Sequence, residues 1–310
     1  MIPRSVSLAL CVVTAAGWSW GCRDSEPRLS HAAIERSAED PLLIDVTVDA
    51  GVDFRHDNGA AGRFSFVEIM GSGAALLDCD DDGDLDLVLR QGGPVPGSGA
   101  EGPGPTDRLL RNELVRDEAV QPVLSFVDAT EASGLVEAGY GMGAATGDYD
   151  GDGRQDLYLT NVGPNRLLRA LGDCRFEDVT LRSGTGGEAW TVAATFLDID
   201  RDGDLDLWEG NYVLYPEAGV EPCRNARGEP DYCTPRAFRA APDRIYRNLG
   251  GGRFEDASEA LGLRTVAADR TLGAIAFDAD GDGRVDLFLA HDAGENHFWS
   301  SRRDRTLVER

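Results

Sequence analysis

Apolar and polar residues alternate in short stretches that recur along the chain. "LDLVLR" from Leu85, "QDLYLT" from Gln155, "LDLWEG" from Leu205 and "VDLFLA" from Val285 keep a period of two and carry β-branched or aromatic residues, the pattern of a strand. Each is preceded by a small-residue apolar segment: "GSGAALL", "GMGAATG", "TVAATFL" or "GAIAF". A third strand is predicted at "DRLLRN" from Asp107, "NRLLRA" from Asn165, "DRIYRN" from Asp243 and "NHFWSS" from Asn296. A fourth is predicted at "SFVDAT" from Ser125, "RFEDVT" from Arg175, "RFEDAS" from Arg253 and "TLVE" from Thr306. The turn "NLGGGRF" from Asn248 fits a tight hairpin, where positive φ suits glycine. Four short strands per repeat predict an all-β fold, a β-propeller of four-stranded blades, with units near residues 66–130, 139–182, 190–259 and 271–310. "IDVT" at Ile44–Thr47 reads as a fifth copy of the fourth strand. That surplus predicts an incomplete propeller of about four blades whose open sheet edges pair with further blades on another chain; a closed four- or five-bladed ring is the alternative.

Between the first two strands of every unit lies an acidic run: "DCDDDGDLD" from Asp78, "DYDGDGRQD" from Asp148, "DIDRDGDLD" from Asp198 and "DADGDGRVD" from Asp278. Positions 1, 3, 5 and 9 are aspartate and position 6 is glycine, the oxygen-only ligand set of a calcium loop. The predicted side-chain ligands are Asp78, Asp80, Asp82 and Asp86; Asp148, Asp150, Asp152 and Asp156; Asp198, Asp200, Asp202 and Asp206; and Asp278, Asp280, Asp282 and Asp286. Main-chain carbonyls at position 7 (Asp84, Arg154, Asp204 and Arg284) complete the sets, giving up to four Ca²⁺. Position 12 holds Leu89, Leu159, Glu209 and Leu289 rather than a recurring glutamate, and the flanks are strands, so these are not helix-flanked calcium loops. Two carboxylates about 4 Å apart repel by roughly 4 kcal/mol at an effective dielectric near 20. A cation in each loop is therefore expected to contribute to folding stability.

The insertions "QGGPVPGSGAEGPGP" (Gln91 to Pro105) and Tyr212 to Pro242 both follow a second strand. Insertions at one location lie on one face of a stacked architecture, where variable recognition is expected. Cys223 and Cys233 bracket a polar loop in the second insertion and are expected to pair; Cys79 and Cys174 are either free or paired with each other. Arg4 followed by the apolar "SVSLALCVVTAA" reads as an export signal over residues 1–22. Gly21 before Cys22 resembles a lipoprotein processing site, with Cys22 lipidated, although Ser19 and Trp20 depart from it; plain secretion is the alternative. Residues 23–41 read as a tether. Acidic residues outnumber basic ones 55 to 30, a net charge of -25, which disfavours nucleic acid and anionic membranes. Membrane contact is expected only through the lipid anchor, and the location secreted, periplasmic or on the outer surface.

The segments "IDVTVDAGVDFRH", "GSGAALLDCDDDGDLDLVL", "YGMGAATGDYDGDGRQDLYLTN" and "DYCTPRAFRAAPDRIYRNLGGGRFEDAS" resemble FG-GAP/VCBS-type repeats, and Leu42 to Arg310 is similar to the cartilage-acidic-protein family, which often carries an ASPIC/UnbV module. That resemblance implies a calcium-loaded propeller of the kind found in integrin α-subunits, commonly seven-bladed, and implies no reaction. The chain departs from it in lacking a recognisable ASPIC/UnbV tail and in Ala170 where asparagine is expected. The function expected is non-catalytic: calcium-dependent binding or adhesion at the cell surface, toward an extracellular protein or glycan. The alternatives are a calcium-dependent polysaccharide lyase and a purely structural propeller fragment. A lyase needs a base, for which His56, His291 and His297 are the candidates; His31 lies in the tether. Trp190, Trp208 and Trp299 sit at strand positions and are expected in the core rather than on a sugar platform, and Arg302 and Arg303 read as a solvated turn.

Overall fold

In the computed structural model, which describes residues 43–97, 104–115, 123–135, 139–216 and 220–310, the alternating stretches pair into four antiparallel four-stranded sheets. The export signal, Cys22 and the tether lie outside the described residues. Sheet one runs β1 (Ala74–Leu77), β2 (Asp86–Leu89), β3 (Arg108–Asn112), β4 (Phe126–Asp128), followed by the short helix α1 (Thr130–Ser133). Sheet two runs β5 (Tyr140–Gly147), β6 (Asp156–Val162), β7 (Arg166–Gly172), β8 (Arg175–Asp178), followed by α2 (Thr180–Ser183). Sheet three holds β9 (Thr191–Leu197) and β10 (Asp206–Asn211), and, after the small hairpin β11 (Cys223–Arg224) and β12 (Pro230–Asp231), β13 (Arg244–Asn248) and β14 (Phe254–Asp256). Sheet four runs β15 (Thr271–Phe277), β16 (Asp286–His291), β17 (His297–Ser301), β18 (Leu307–Glu309). In every sheet spatial order equals chain order, so these are propeller blades.

The second strands explain why blades stack. Residues Asp156–Asn161 of β6 and all of β10 are buried, because successive side chains point to opposite faces and each face meets a neighbouring blade. Leu157 and Leu159 pack toward Leu77, Val88 and Leu109 of the first blade, while Tyr158 packs toward Leu207 and Tyr246 of the third. Trp208 and Ile245 meet Leu287, Leu289 and Trp299 of the fourth. Each such buried side chain stabilises the fold by about 1.5–3 kcal/mol. First strands pack in series, β1 with β5, β5 with β9 and β9 with β15; among the described residues no comparable packing links β15 with β1.

Ile44–Thr47, expected as a strand, belongs to no sheet: Thr47 onward is a turn closed by hydrogen bonds from Ala50 N–H to Val46 O (2.7 Å) and Val52 N–H to Thr47 O (2.9 Å). Each of the four blades has its own fourth strand, so the count of five fails; the expectation of about four four-stranded blades without ring closure agrees with the sheets and with the lack, among the described residues, of comparable β15–β1 packing. The turn matches α1, α2 and the turn before Leu263. All four contain a left-handed glycine, at Gly51, Gly134, Gly184 and Gly262 (φ 78, 79, 82 and 90°). A Cβ on these glycines would lie 3.1, 3.0, 3.3 and 2.9 Å from the carbonyl oxygens of Phe126, Phe176, Phe254 and Leu307, each on the fourth strand of the following blade. Glycine there permits both the backbone conformation and the close approach. The preceding D-x-[T/S] also gains a role. Asp128, Asp178 and Asp256 each accept the N–H of Thr130, Thr180 and Ser258, whose hydroxyls accept the N–H of Leu109, Leu167 and Ile245 on the third strand.

Candidate metal loops and the insertion face

Each aspartate run is a loop closed by a strand pair: Leu77 pairs with Asp86, Gly147 with Asp156, Leu197 with Asp206 and Phe277 with Asp286. Turning within so few residues takes two left-handed positions, not one. Besides the glycine at position 6, position 4 has positive φ in all four loops, at Asp81 (62°), Gly151 (72°), Arg201 (62°) and Gly281 (77°). The glycines at two of those four positions were the available signal.

Within the loops the aspartates divide their work. Asp78 accepts backbone N–H groups of Asp82 (3.1 Å) and Gly83 (3.0 Å), and Asp148, Asp198 and Asp278 do the same in their loops. Position 5 accepts the N–H of position 7, as from Asp84 to Asp82 (2.8 Å) and Arg154 to Asp152 (3.0 Å). Asp86, Asp156, Asp206 and Asp286 are buried. One oxygen of each accepts the N–H of position 2 (Cys79, Tyr149, Ile199, Ala279) and the other that of a third-strand residue (Asn112, Ala170, Asn248, Ser301), at 2.7–3.2 Å. Position 9 thus ties loop to sheet.

Carboxylate oxygens of Asp78, Asp80 and Asp86 lie within 4.8 Å of one another, as do those of Asp148, Asp150 and Asp156, of Asp198, Asp200 and Asp206, and of Asp278, Asp280 and Asp282. Asp82, Asp152, Asp202 and Asp286 fall outside these triads. Burial pushes the carboxyls of Asp156 and Asp206 up to about 7 and about 6, and raises those of Asp80, Asp86 and Asp200. One oxygen each of Asp80 and Asp200 is buried without a hydrogen-bond partner. Buried, unpartnered anionic oxygens in an all-oxygen donor set fit a hard divalent cation.

Arginines, which the sequence reading assigned no side-chain part here, also face the loops. Arg169 spans Asp150 (2.5 Å) and Asp152 (2.6 Å), Arg111 lies 3.8 Å from Asp80, and the side chains of Arg154 and Arg284 pair with Asp152 and Asp282. The second arginine of "RLLRN" and "RLLRA" is the signal for Arg111 and Arg169. In the second, third and fourth blades the tip of the β-hairpin made by the last two strands meets the loop of the blade before. Cys174 in the β7–β8 turn donates its N–H to Cys79 O (2.9 Å) and is disulfide-bonded to Cys79, which settles the alternative left open for these two cysteines. Asn248 donates to Tyr149 O (2.8 Å), and Arg305 pairs with Asp200 (3.3 Å).

At the opposite end of the strands, Asp107, Asn165, Asp243 and Asn296 accept the N–H groups of Gln91, Asn161, Asn211 and His291 that end or follow the second strands. Both insertions leave from here and share one cluster. Phe66, in a 3-10 turn over Phe66–Ile69, stacks on Phe238 (4.7 Å) and meets Trp190 edge-on (5.6 Å), with Val95 and Cys233 in the same cluster. Cys223 and Cys233 are bonded, as expected. A cavity of about 430 Å³ opens between the Gly59–Ser65 segment, Val95–Gly97 and Val220–Pro222. Glu68 lines it, buried, and accepts a hydrogen bond from the Tyr232 hydroxyl (3.1 Å).

Of the three candidate bases, His56 bonds Ser72 (2.8 Å), while His291 and His297 pack edge to face at 4.5 Å and line a small cavity with Asp243 and Asp269, with burial lowering the His291 pKa. Trp190, Trp208 and Trp299 are buried. Among the described residues no helix is long and apolar enough to cross a membrane.

Residues 148–208 and 225–308 match the FG-GAP-like repeat family; the first blade, outside the match, has the same strand order. Cartilage acidic protein 1 of Mus musculus is 30% identical over 173 residues, 54% of this chain and 23% of that protein. The Homo sapiens protein is 28% identical over 172 residues, with the same shares. The chain therefore spans about a quarter of the length of these relatives. Among solved structures, the V. cholerae biofilm matrix protein Bap1 aligns with TM-score 0.31 and 14% identity, over 75% of this chain and 31% of that one. An Agrocybe aegerita lectin, solved for its recognition of non-reducing terminal N-acetylglucosamine, aligns with TM-score 0.29 and 14% identity, over 79% and 68%. The chain carries FG-GAP-like repeats and resembles cartilage acidic protein 1.

Proposed function

We propose that the protein is a non-catalytic, calcium-binding β-propeller acting outside the cytoplasm, free or held by a lipid at Cys22, that binds an extracellular protein or glycan through its insertion face. The observation that carries this is the set of four acidic triads with carboxylate oxygens within 4.8 Å of one another. Calcium, when bound, supplies the positive charge that lets such oxygens sit together. The triads of positions 1 and 3, with position 9 in the first three loops and position 5 in the fourth, are the holders. Position 9 fixes the loop to its third strand, and in the first three loops the hairpin tip of the next blade leans on position 2 or 3, so loop geometry and blade contact are set together there. Two disulfides among the described residues suit an oxidising compartment.

The insertion face suits recognition because a rigid aromatic cluster and the Cys223–Cys233 bond hold loops around a concave opening. Binding of the purified protein to a glycan array and to extracellular proteins, with and without chelator, tests the reading. Calcium-dependent capture that is lost when the 220–230 loop is shortened is expected. Release of unsaturated uronate from a pectic substrate would overturn the non-catalytic assignment.

A further inference from the structure

All 30 basic residues of the chain are arginines. Five of them, Arg201, Arg284, Arg302, Arg303 and Arg305, line one open cavity of about 370 Å³, with Ile199 and Asp200 completing its wall. In a chain of net charge -25, this is a local reversal of sign. The cavity lies between the third and fourth aspartate loops and the β17–β18 hairpin. Arg201 occupies the left-handed fourth position of its loop and reaches toward the next, its guanidinium 3.6 Å from where a Cβ on Gly283 would sit. The hairpin turn is held by Arg302 N–H to Thr306 O (2.8 Å) and Arg305 N–H to Arg302 O (3.0 Å). Arg284 is anchored by its Nε–H to Ser301 O (3.1 Å).

The arginines fall into two groups. Arg284 pairs with Asp282 and Arg305 with Asp200 at 3.3 Å. Among the described residues, Arg201, Arg302 and Arg303 stand in no such pair; exposed Asp304 beside them has its pKa lowered mainly by hydrogen bonds from Thr306 and only in lesser part by the Arg302 charge. Like charges gathered without partners repel, and forked guanidinium groups match planar or tetrahedral oxyanions. The mixed lining adds a second chemistry, since a carboxylate beside arginines accepts hydrogen bonds from hydroxyl groups. A long, densely charged polymer such as nucleic acid is repelled by the rest of the surface, whereas one anionic group entering the cavity is not.

We propose that this cavity is an anion site that takes the carboxylate or sulfate of an acidic saccharide. It lies at the metal-loop end of the sheets, not on the insertion face, and so is distinct from the recognition surface formed by the insertions. A consequence rests on the calcium reading: a divalent cation that engages Asp200 and Asp282 loosens their pairs with Arg305 and Arg284 and turns two further guanidinium groups to the cavity. Anion and cation then bind with positive coupling. The three unpaired arginines need no cation.

Titration calorimetry tests this with four probes, trigalacturonate, a sulfated disaccharide, its desulfated form and inorganic sulfate, each in calcium and in chelator. Trigalacturonate or the sulfated disaccharide is expected to bind while the desulfated form does not, and R201A/R303A weakens binding by about tenfold or more. Both positions are exposed, so the double variant should keep the parent melting temperature, which is measured alongside. Binding of inorganic sulfate alone would refute the saccharide; equal binding of the desulfated form, binding unchanged in the double variant, or no binding would refute the site. Binding equal in calcium and chelator would refute the coupling. A melting temperature indifferent to chelator would count against the calcium reading and leave the arginine result to stand or fall by itself.

Discussion

Asp280 and Asp286 sit six residues apart in the fourth loop, yet the structure gives them different tasks, and replacing each by asparagine should separate them. Asp286 is 2% exposed and accepts two backbone N–H groups, from Ala279 (3.0 Å) and Ser301 (2.8 Å). In D286N one of those donors meets an amide NH2, leaving a buried donor unsatisfied at about 1–3 kcal/mol. For a domain of this size that is a fall in Tm of about 2–12 °C, in chelator as well as in calcium. Asp280 is exposed, belongs to the acidic triad, and among the described residues accepts only the N–H of Asp282 (3.1 Å), which an asparagine oxygen can still accept. D280N in chelator should match or exceed the parent, because one of three crowded charges has gone, while the rise in Tm on adding calcium shrinks. Thermal unfolding followed by circular dichroism, with and without chelator, reads both. Equal losses for the two variants in chelator, or a full calcium response in D280N, would refute the division of labour.

Three further outcomes are expected. Removing the Cys79–Cys174 bond, with a separation of 95 residues, should cost about 4–5 kcal/mol and removing Cys223–Cys233, with a separation of 10, about 3; denaturant unfolding of the two double-serine variants gives the order, and the reverse order would contradict it. Burial pushes the carboxyl of Asp243 up to about 7 from 3.8, so the folded state holds the proton more tightly and stability falls as pH rises between those values, then levels. D243N, whose amide can still accept from Asn211 and donate to the Thr271 hydroxyl, should lose that slope, and its stability relative to the parent should climb across the window in urea titrations at stepped pH. G262A places a Cβ 2.9 Å from Leu307 O at φ 90°, costing about 1–2 kcal/mol for the conformation alone; G273A, with nothing within 4 Å and an ordinary φ, is the control, and equal melting temperatures would show the contact to be slack.

The blades were legible because a period-two strand beside a fixed acidic spacing repeats, and repetition separates pattern from accident. Gln91–Pro105 and Tyr212–Pro242 could be placed on one side from their shared position after a second strand, and Val95 and Phe238 do meet there. What escaped was whatever depends on the neighbouring blade. Cys174 reaches Cys79 only because a hairpin tip overhangs the previous loop, a relation no local spacing encodes. Arg169 reads as an exposed strand residue until the Asp150 and Asp152 carboxylates are seen beneath it. "IDVT" shares the letters of a fourth strand, but strands need a partner, and the chain around Thr47 closes on itself instead.

The overhang of each hairpin on the loop before it fixes where such a protein can be cut and rejoined. A chimera with its junction just after α1 would part the Asp78–Asp86 loop from Cys174, the one residue covalently fastened to it. Modules exchanged between relatives should instead be framed so that a loop travels with the tip that covers it, a frame displaced from the sheets by half a repeat.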